Sequence, residues 1–211
     1  KTGELLFPAN ARFDAEAHII RWFDFWLKGR DNQVDRDPAV RYYAMGAVDG
    51  DNVPGNVWRE APDWPVQCTA TSYFLRQSGR LATASPFEAD ASVTFLADPL
   101  HPNSIPNPRG FPGAADARSF EEQPEVRTFT TDTLERPVEW TGLVKAELFV
   151  TSSARDTDFI VRVTDVYPDG RSILLVDYIR RGRYRDGYEH EVFFEPGRVE
   201  KVAFEVGWIS Q

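Results

Sequence analysis

Alternating apolar and polar residues in the second half of the chain restrict its fold more than any other feature. Residues two apart on a strand share one face, so strict alternation predicts a strand with one buried side. Residues 143–151 show this pattern, and residues 197–206 repeat it. Residues 158–179 predict two strands joined by a tight turn at 167–170, where Pro and Gly stand at turn positions.

The first half of the chain, beyond Pro38, adds shorter strand-like segments. Residues 39–45 and 91–99 each predict a strand, and residues 71–83 predict a hairpin that turns at Ser78-Gly79. Residues 58–66 contain two Trp and two Pro, which favours an ordered loop fixed by its aromatic rings. Short strands without helical patterns between them indicate an antiparallel sandwich or barrel, so the fold class is mainly β.

One helix precedes these strands, over about residues 14–28. Asp14 is a suitable N-cap, and Lys28 followed by Gly29 is a typical C-terminal signal. Spacings of three and four place five apolar residues on one stripe: Ile19, Trp22, Phe23, Trp26 and Leu27. A stripe so wide and aromatic predicts that the helix packs against an apolar surface.

Composition limits the classes of partner. The 211 residues carry a formal net charge of −9, which favours a soluble protein and argues against nucleic acid as the main partner. No run approaches the roughly 20 apolar residues of a membrane span. The first residues lack the pattern of a signal peptide, and the compartment, cytoplasmic or exported, stays open. The single Cys68 excludes an internal disulfide framework, and no motif calls for a cofactor.

The sequence contains no complete catalytic motif. Gly170-Arg171-Ser172 does not continue as the G-x-S-x-G elbow of α/β-hydrolases, so Ser172 is interpreted as a turn-exit residue. The three histidines are far apart in sequence; His18 and His190 are expected at the surface. His101 lies in a segment rich in Pro, Gly and Asn over residues 98–119, and it is the one histidine that is a candidate for a position beside a ligand.

Acidic and aromatic residues leave two alternatives open. Asp156 and Asp158, with Asp165, suggest either a calcium site or ion pairs to the arginines within residues 180–185. The glycine-containing calcium loop is missing, which favours ion pairs. Trp58 and Trp64 suggest either a sugar-stacking platform or, as is more common for single aromatic residues, packing inside a loop.

Three stretches together resemble a known family. Residues 21–32 (RWFDFWLKGRDN), 58–66 (WREAPDWPV) and 138–187 are similar to the CocE/NonD serine hydrolases, which include α-amino-acid ester hydrolases and, more distantly, X-Pro dipeptidyl-peptidases. The resemblance covers essentially the whole chain. It implies that the helix ends an α/β-hydrolase domain and that a jelly-roll-like, galactose-binding-like antiparallel β-sandwich follows.

The resemblance also implies how the chain is divided. Residues 1–35 correspond to the tail of the hydrolase domain and a hinge, and residues 36–211 to a sandwich of the X-Pro dipeptidyl-peptidase C-terminal type, expected to continue beyond Gln211. The family's catalytic Ser, Asp and His match no position of this sequence. The implied partners are the α/β-hydrolase and cap domains of the same enzyme, a small ester, amide or short peptide substrate, and further copies in a homo-oligomer.

In the family, the long sandwich loop reaches towards the substrate pocket. The matching segment is 98–119, which makes Phe111 the first candidate for lining the pocket, then Arg109 and His101. The same loop could instead seal an interface between domains. Two other classes of function stay open at this stage: a carbohydrate- or ligand-binding sandwich and a purely structural oligomerisation domain.

Overall fold

Ten helices and strands position the residues that bear on function. The computed structural model describes residues 3–50, 53–87, 91–103 and 114–211. Within these, the elements are α1 (Ala15–Lys28), β1 (Val40–Ala44), β2 (Val57–Ala61), β3 (Phe74–Leu75), β4 (Leu81–Ala82), α2 (Arg118–Glu121), β5 (Thr141–Val150), β6 (Asp158–Val166), β7 (Ser172–Arg181) and β8 (Glu200–Ser210). The strands pair as β1–β2, β3–β4, β5–β8 and β6–β7.

The chain forms two compact units. The larger comprises the described residues of Lys1–Leu5, Thr69–Val138 and Leu143–Ile209. The smaller comprises those of Leu6–Cys68, Glu139–Gly142 and Ser210–Gln211, and therefore contains α1 and the β1–β2 hairpin. The boundary that the resemblance implies between residues 35 and 36 stays a prediction.

The larger unit is built around one apolar core. Its buried members are Phe194, Val202, Phe204 and Val206. Alternate residues of three other strands pack against them: Val144, Ala146, Leu148 and Val150 of β5, Phe159 and Val161 of β6, and Val176 of β7. The pairs β5–β8 and β6–β7 thus share one core, as the layers of a β-sandwich do. This confirms the mainly β, antiparallel sandwich predicted from the sequence.

The opposite face of the β5–β8 pair carries charges. Lys201 Nζ lies 2.8 Å from Glu147 Oε1, and Lys145 Nζ lies 3.7 Å from Glu205 Oε1. These cross-strand pairs connect residues that alternate with the core residues of the same strands. The alternation in the sequence therefore reflects burial: one face of the β5–β8 pair packs on the core, and the other face carries charged side chains.

Two local predictions were wrong. Residues 58–66 were expected to form a loop, but residues 58–61 belong to β2, in which Trp58 pairs in register with Tyr43 of β1. The strand ends at Ala61 because Pro62 has no N–H for a further ladder hydrogen bond. Residues 91–99 were expected to form a strand, but none of them belongs to a strand of the described structure. Arg127 holds this segment instead, donating to the Thr94 carbonyl at 2.9 Å and lying over the Phe95 ring.

The shared core predicts unequal costs for two matched substitutions. Phe204 is 6% exposed and Phe149 is 69% exposed, although they lie on paired strands. We expect Phe204→Ala to lower the free energy of unfolding by about 3–5 kcal/mol, because it empties a core position. Phe149→Ala should cost less than about 1 kcal/mol. Urea denaturation followed by tryptophan fluorescence measures both, and equal costs would contradict the assignment of the core.

Candidate functional site

Helix α1 begins and ends where local chemistry sets its limits. The Asp14 side chain accepts a hydrogen bond from the backbone N–H of Ala17 at 2.9 Å, which satisfies one free donor of the first turn. At the other end Gly29 adopts φ +65°, and its N–H donates to the Phe25 carbonyl at 3.1 Å. The helix predicted over about 14–28 is therefore confirmed.

The apolar stripe of α1 has no covering surface in the described part of the chain. None of the fourteen residues of the helix is buried. Six large apolar side chains are 46–75% exposed: Ile19, Ile20, Trp22, Phe23, Trp26 and Leu27. The rings of Trp22 and Trp26 contact each other, with centroids 5.7 Å apart. A contiguous aromatic patch of this kind marks an interaction site, whereas single exposed apolar residues do not.

The polar face of α1 makes the contacts with its own unit. Arg21 Nη1 lies 2.5 Å from Asp37 Oδ2, and Arg21 Nη2 donates to Asp37 Oδ1 and to the Asn32 carbonyl, both at 3.1 Å. The Asn32 side chain donates back to the Arg21 carbonyl at 2.7 Å. We call Arg21, Asn32 and Asp37 the helix clamp. Hydrogen bonding to Arg21 lowers the pKa of Asp37 below its ordinary value.

The segment before α1 is fixed to the β1–β2 hairpin by a second network. Trp58 Nε1 donates to the Asn10 carbonyl at 2.8 Å, and Tyr43 O–H donates to Asn10 Oδ1 at 3.1 Å. The Phe13 ring lies 5.7 Å from that of Trp58. Trp58 is thus engaged in packing on its ring faces and in hydrogen bonding at its edge, which argues against a sugar-stacking role for it.

Of the three residues predicted to line a pocket, the described structure includes His101. Arg109 and Phe111 lie outside the described residues, so their role stays a prediction. His101 is exposed, and its Nδ1 lies 2.9 Å from Asp98 Oδ2. This contact lowers the pKa of Asp98. The other two histidines, His18 and His190, are exposed, as expected.

The acidic cluster forms ion pairs with arginines. Arg181 Nε lies 2.7 Å from Asp156 Oδ2, and Arg181 Nη1 lies 2.8 Å from Asp158 Oδ2. Asp156 also accepts from the backbone N–H of Arg183 at 3.0 Å. Within the described residues, no group of three acidic, His or Cys side chains could hold a metal ion. The ion-pair interpretation therefore accounts for Asp156 and Asp158.

Ser172 has a structural role. Its hydroxyl donates to Glu121 Oε1 at 2.6 Å, and its backbone N–H donates to Asp116 Oδ1 at 3.2 Å. Asp116 also pairs with Arg118, which holds the pKa of the carboxyl below its ordinary value. The residue is buried and connects the start of β7 to the segment that includes α2. It is the turn-exit residue that the sequence indicated.

The described structure contains a β-sandwich in the larger unit and an exposed aromatic helix in the smaller one, and the sequence has no nucleophile elbow. A family model for the X-Pro dipeptidyl-peptidase C-terminal non-catalytic domain matches residues 32–208. The chain belongs to this family. Its membership confirms the resemblance to the C-terminal region of CocE/NonD hydrolases.

Comparisons with individual proteins agree with this family assignment. Cocaine esterase of Rhodococcus sp. (strain MB1 Bresler) is 35% identical over 199 residues, which cover 88% of this chain and 33% of the esterase. A crystal structure of an aminopeptidase from a marine-sediment Thaumarchaeota archaeon matches with a TM-score of 0.83 and 24% identity, over all of this chain and 36% of that one. An α-amino acid ester hydrolase matches with a TM-score of 0.74 and 25% identity, over 91% and 34%.

The chain spans a third or less of the length of the curated relatives that it matches. Its similarity to them therefore concerns a region that the family description calls non-catalytic. Among the described helices, none has the length and apolar character needed to cross a membrane.

The helix clamp predicts an acid-shifted titration. Because the pKa of Asp37 is lowered in the folded chain from its ordinary 3.8, the clamp contributes stability above that pH. The contribution is lost as the pH falls through the lower, folded-state pKa. We expect carboxyl-carbon NMR to place the Asp37 midpoint below 3.8 and to return it towards 3.8 in Arg21→Met. Identical midpoints in the two proteins would count against the clamp.

Proposed function

We propose that this chain is the accessory C-terminal domain of a serine hydrolase that cleaves ester or amide bonds, and that the apolar face of α1 packs against the catalytic domain of the same enzyme. The family description and the names of the relatives support the class of enzyme. The exposed stripe of α1 is the observation that carries the second part. The stripe requires an apolar partner, and the polar face already serves the chain's own unit.

The proposed reaction is acyl transfer to water. A serine of the catalytic domain attacks the carbonyl of an ester or amide, a histidine acts as general base, and an oxyanion hole stabilises the tetrahedral intermediate. The described chain offers neither the elbow nor a histidine with a neighbouring nucleophile. Its own contribution is the fixed position of α1 and a wall beside the substrate, with Phe111, Arg109 and His101 as the proposed lining residues.

The energetics of α1 favour a permanent contact. A helix of 14 residues is marginal in water unless one face is packed. Fully burying a Leu, Ile or Phe side chain contributes roughly 1.5–3 kcal/mol, so covering six half-exposed side chains contributes several kcal/mol. The part of the relatives' length that this chain does not match is the proposed source of the covering surface. A catalytic domain there would bury the stripe.

The names of the relatives indicate only a broad class of substrate. Their names identify esters in two cases and an aminopeptidase in the third. We propose a small ester, amide or short peptide as the substrate of the whole enzyme. Homo-oligomer formation is also part of the proposal.

A charge placed on the stripe tests the role of α1. In the enzyme that joins this chain to its catalytic domain, we expect Trp26→Glu to lower the midpoint of thermal unfolding by at least about 5 °C, because it places a carboxylate in an apolar contact. In the 211-residue chain alone the same change should leave the midpoint nearly unchanged, since Trp26 is already exposed.

Ala17→Glu is the matched control for that experiment. Ala17 lies on the same helix, outside the stripe, and is exposed. A carboxylate near the start of a helix is favourable, so this variant should leave both midpoints in place. If Trp26→Glu and Ala17→Glu behave alike in the joined enzyme, α1 does not pack on the catalytic domain.

Activity provides an independent test. The 211-residue chain should not hydrolyse a nitrophenyl ester above the rate of buffer, because the proposed nucleophile, base and acid lie elsewhere. The joined enzyme should hydrolyse it with burst kinetics typical of an acyl-enzyme. Turnover by the chain alone would contradict the assignment of an accessory role.

A further inference from the structure

Residues 185–199 form an irregular segment between β7 and β8. The structure describes all of them, and none belongs to a helix or a strand. A segment of this length without secondary structure is uncommon in a compact domain, and where it is ordered it usually has a function of its own. Phe194 is the one buried residue of the segment, and it is a member of the core of the larger unit. We call residues 185–199 the strap.

Phe194 seats the strap on the sandwich. Its ring centroid lies 5.9 Å from that of Phe159 on β6. On another side the ring packs directly on the backbone of Gly182, where an added Cβ would lie 2.1 Å from Phe194 Cε2. The backbone N–H of Phe194 donates to the Arg155 carbonyl at 2.8 Å. One apolar side chain and its own N–H thus form the first anchor of the strap.

The second anchor of the strap is a buried cation. The Arg185 side chain is 4% exposed, and its guanidinium carbon lies 4.8 Å from the ring centroid of Phe194. Arg185 Nη1 donates to the carbonyl of Gly182 at 3.2 Å and to the carbonyl of Val192. Arg185 therefore connects the start of the strap, its middle and its core residue.

Glu200 supplies a carboxylate for this cation. Its Oε2 lies 3.5 Å from Arg185 Nη2, and its Oε1 lies 3.2 Å from Arg198 Nε. Glu200 is the first residue of β8, and its side chain is 15% exposed, so the carboxylate belongs to the sandwich. Arg185 and Arg198 stand near opposite ends of the strap, and Glu200 pairs with both. Removing its charge would leave the buried guanidinium of Arg185 without this partner, which is strongly unfavourable.

The rest of the strap contributes little to the core. Three of its large apolar side chains are 38–66% exposed: Tyr188, Val192 and Val199. Segments with few buried apolar contacts open locally at a lower free energy than the strands of a core. The closed position of the strap therefore depends on Phe194 and on the pair of Arg185 and Glu200.

We propose that the strap opens as one unit while the sandwich stays folded, and that the pair of Arg185 and Glu200 is the latch that keeps it closed. Opening withdraws Phe194 from the core and uncovers an apolar site beside Phe159 and Gly182. The latch therefore controls access to the core of the larger unit. This inference rests on contacts within that unit and does not depend on the hydrolase activity or on the packing of α1.

Native-state hydrogen exchange, resolved to single amides by mass spectrometry with fragmentation, tests the latch. The N–H groups of Val192 and Phe194 donate to the carbonyls of Arg183 and Arg155, both at 2.8 Å, so their exchange reports opening of the strap. They should exchange faster than the ladder amides of β6 and β7 and depend less on urea, because opening exposes less surface than unfolding. Glu200→Gln should speed their exchange at least tenfold, because the closed strap then buries an unpaired cation.

Two control variants separate the latch from other effects. Glu195 Oε1 lies 3.4 Å from Arg198 Nη1 within the strap, but the two side chains are 71% and 61% exposed. An exposed pair contributes little, so Glu195→Gln should leave the exchange of the strap amides unchanged. Ile173 of β7 is 1% exposed and lies outside the strap. Ile173→Val should speed the ladder amides of β6 and β7 and leave the strap amides unchanged, because the strap opens without unfolding of the sandwich.

Gly182→Ala opens the strap without a change of charge. Its Cβ would meet the Phe194 ring, so the variant should also speed exchange at Val192 and Phe194. Three results would overturn the proposal. Strap amides that share the urea dependence of the ladder amides unfold together with the sandwich. Equal exchange in Glu200→Gln and Glu195→Gln shows that the buried pair is not a latch. Strap amides that Gly182→Ala leaves unchanged show that the strap is not seated by Phe194.

Discussion

The packing of Phe194 and β8 against three other strands is the interaction on which the larger unit depends. Val202, Phe204 and Val206 of β8 face the same core as alternate residues of β5, β6 and β7. Each strand contributes one face only, so its other face is free to carry charge, as the Lys201–Glu147 pair illustrates. Close packing leaves little room for change: a Cβ on Gly182 would lie 2.1 Å from Phe194 Cε2.

Helix α1 follows the opposite logic. In most surface helices the apolar stripe faces the protein and the polar face is in water. Here the polar residues Arg21 and Asp24 are partly buried, while Trp22 and Trp26 are exposed. The clamp to Asn32 and Asp37 holds the helix through its polar side and leaves the aromatic side available. This arrangement is expected for a helix whose apolar face is stabilised by packing against a neighbouring domain.

Much of this organisation could be predicted from the sequence, because periodicity reports burial directly. The strands β5 to β8 and the limits of α1 follow from alternation, turn residues and capping signals. The errors arose where periodicity is weak. Residues 57–61 form a strand because Trp58 pairs across to Tyr43, and a loop rich in Trp and Pro hides that pairing. Residues 91–99 have strand-like composition, but Arg127 holds the segment.

The contacts around α1 were harder to predict from the sequence, because they join residues that are distant along the chain. The stripe of α1 could be predicted, since it is local. The helix clamp could not, because Arg21, Asn32 and Asp37 meet only after the chain reverses beyond Gly29, and charged residues in such a segment ordinarily indicate solvation.

The contact proposed for α1 differs in its driving force from the contacts that hold the helix to its own unit. The stripe is apolar, so its contribution comes from removing apolar area from water. The helix clamp is a partly exposed ion pair with hydrogen bonds, so its contribution depends on geometry and is weakened by salt. The polar contacts can therefore hold the helix in place while its stripe stays available for an apolar partner.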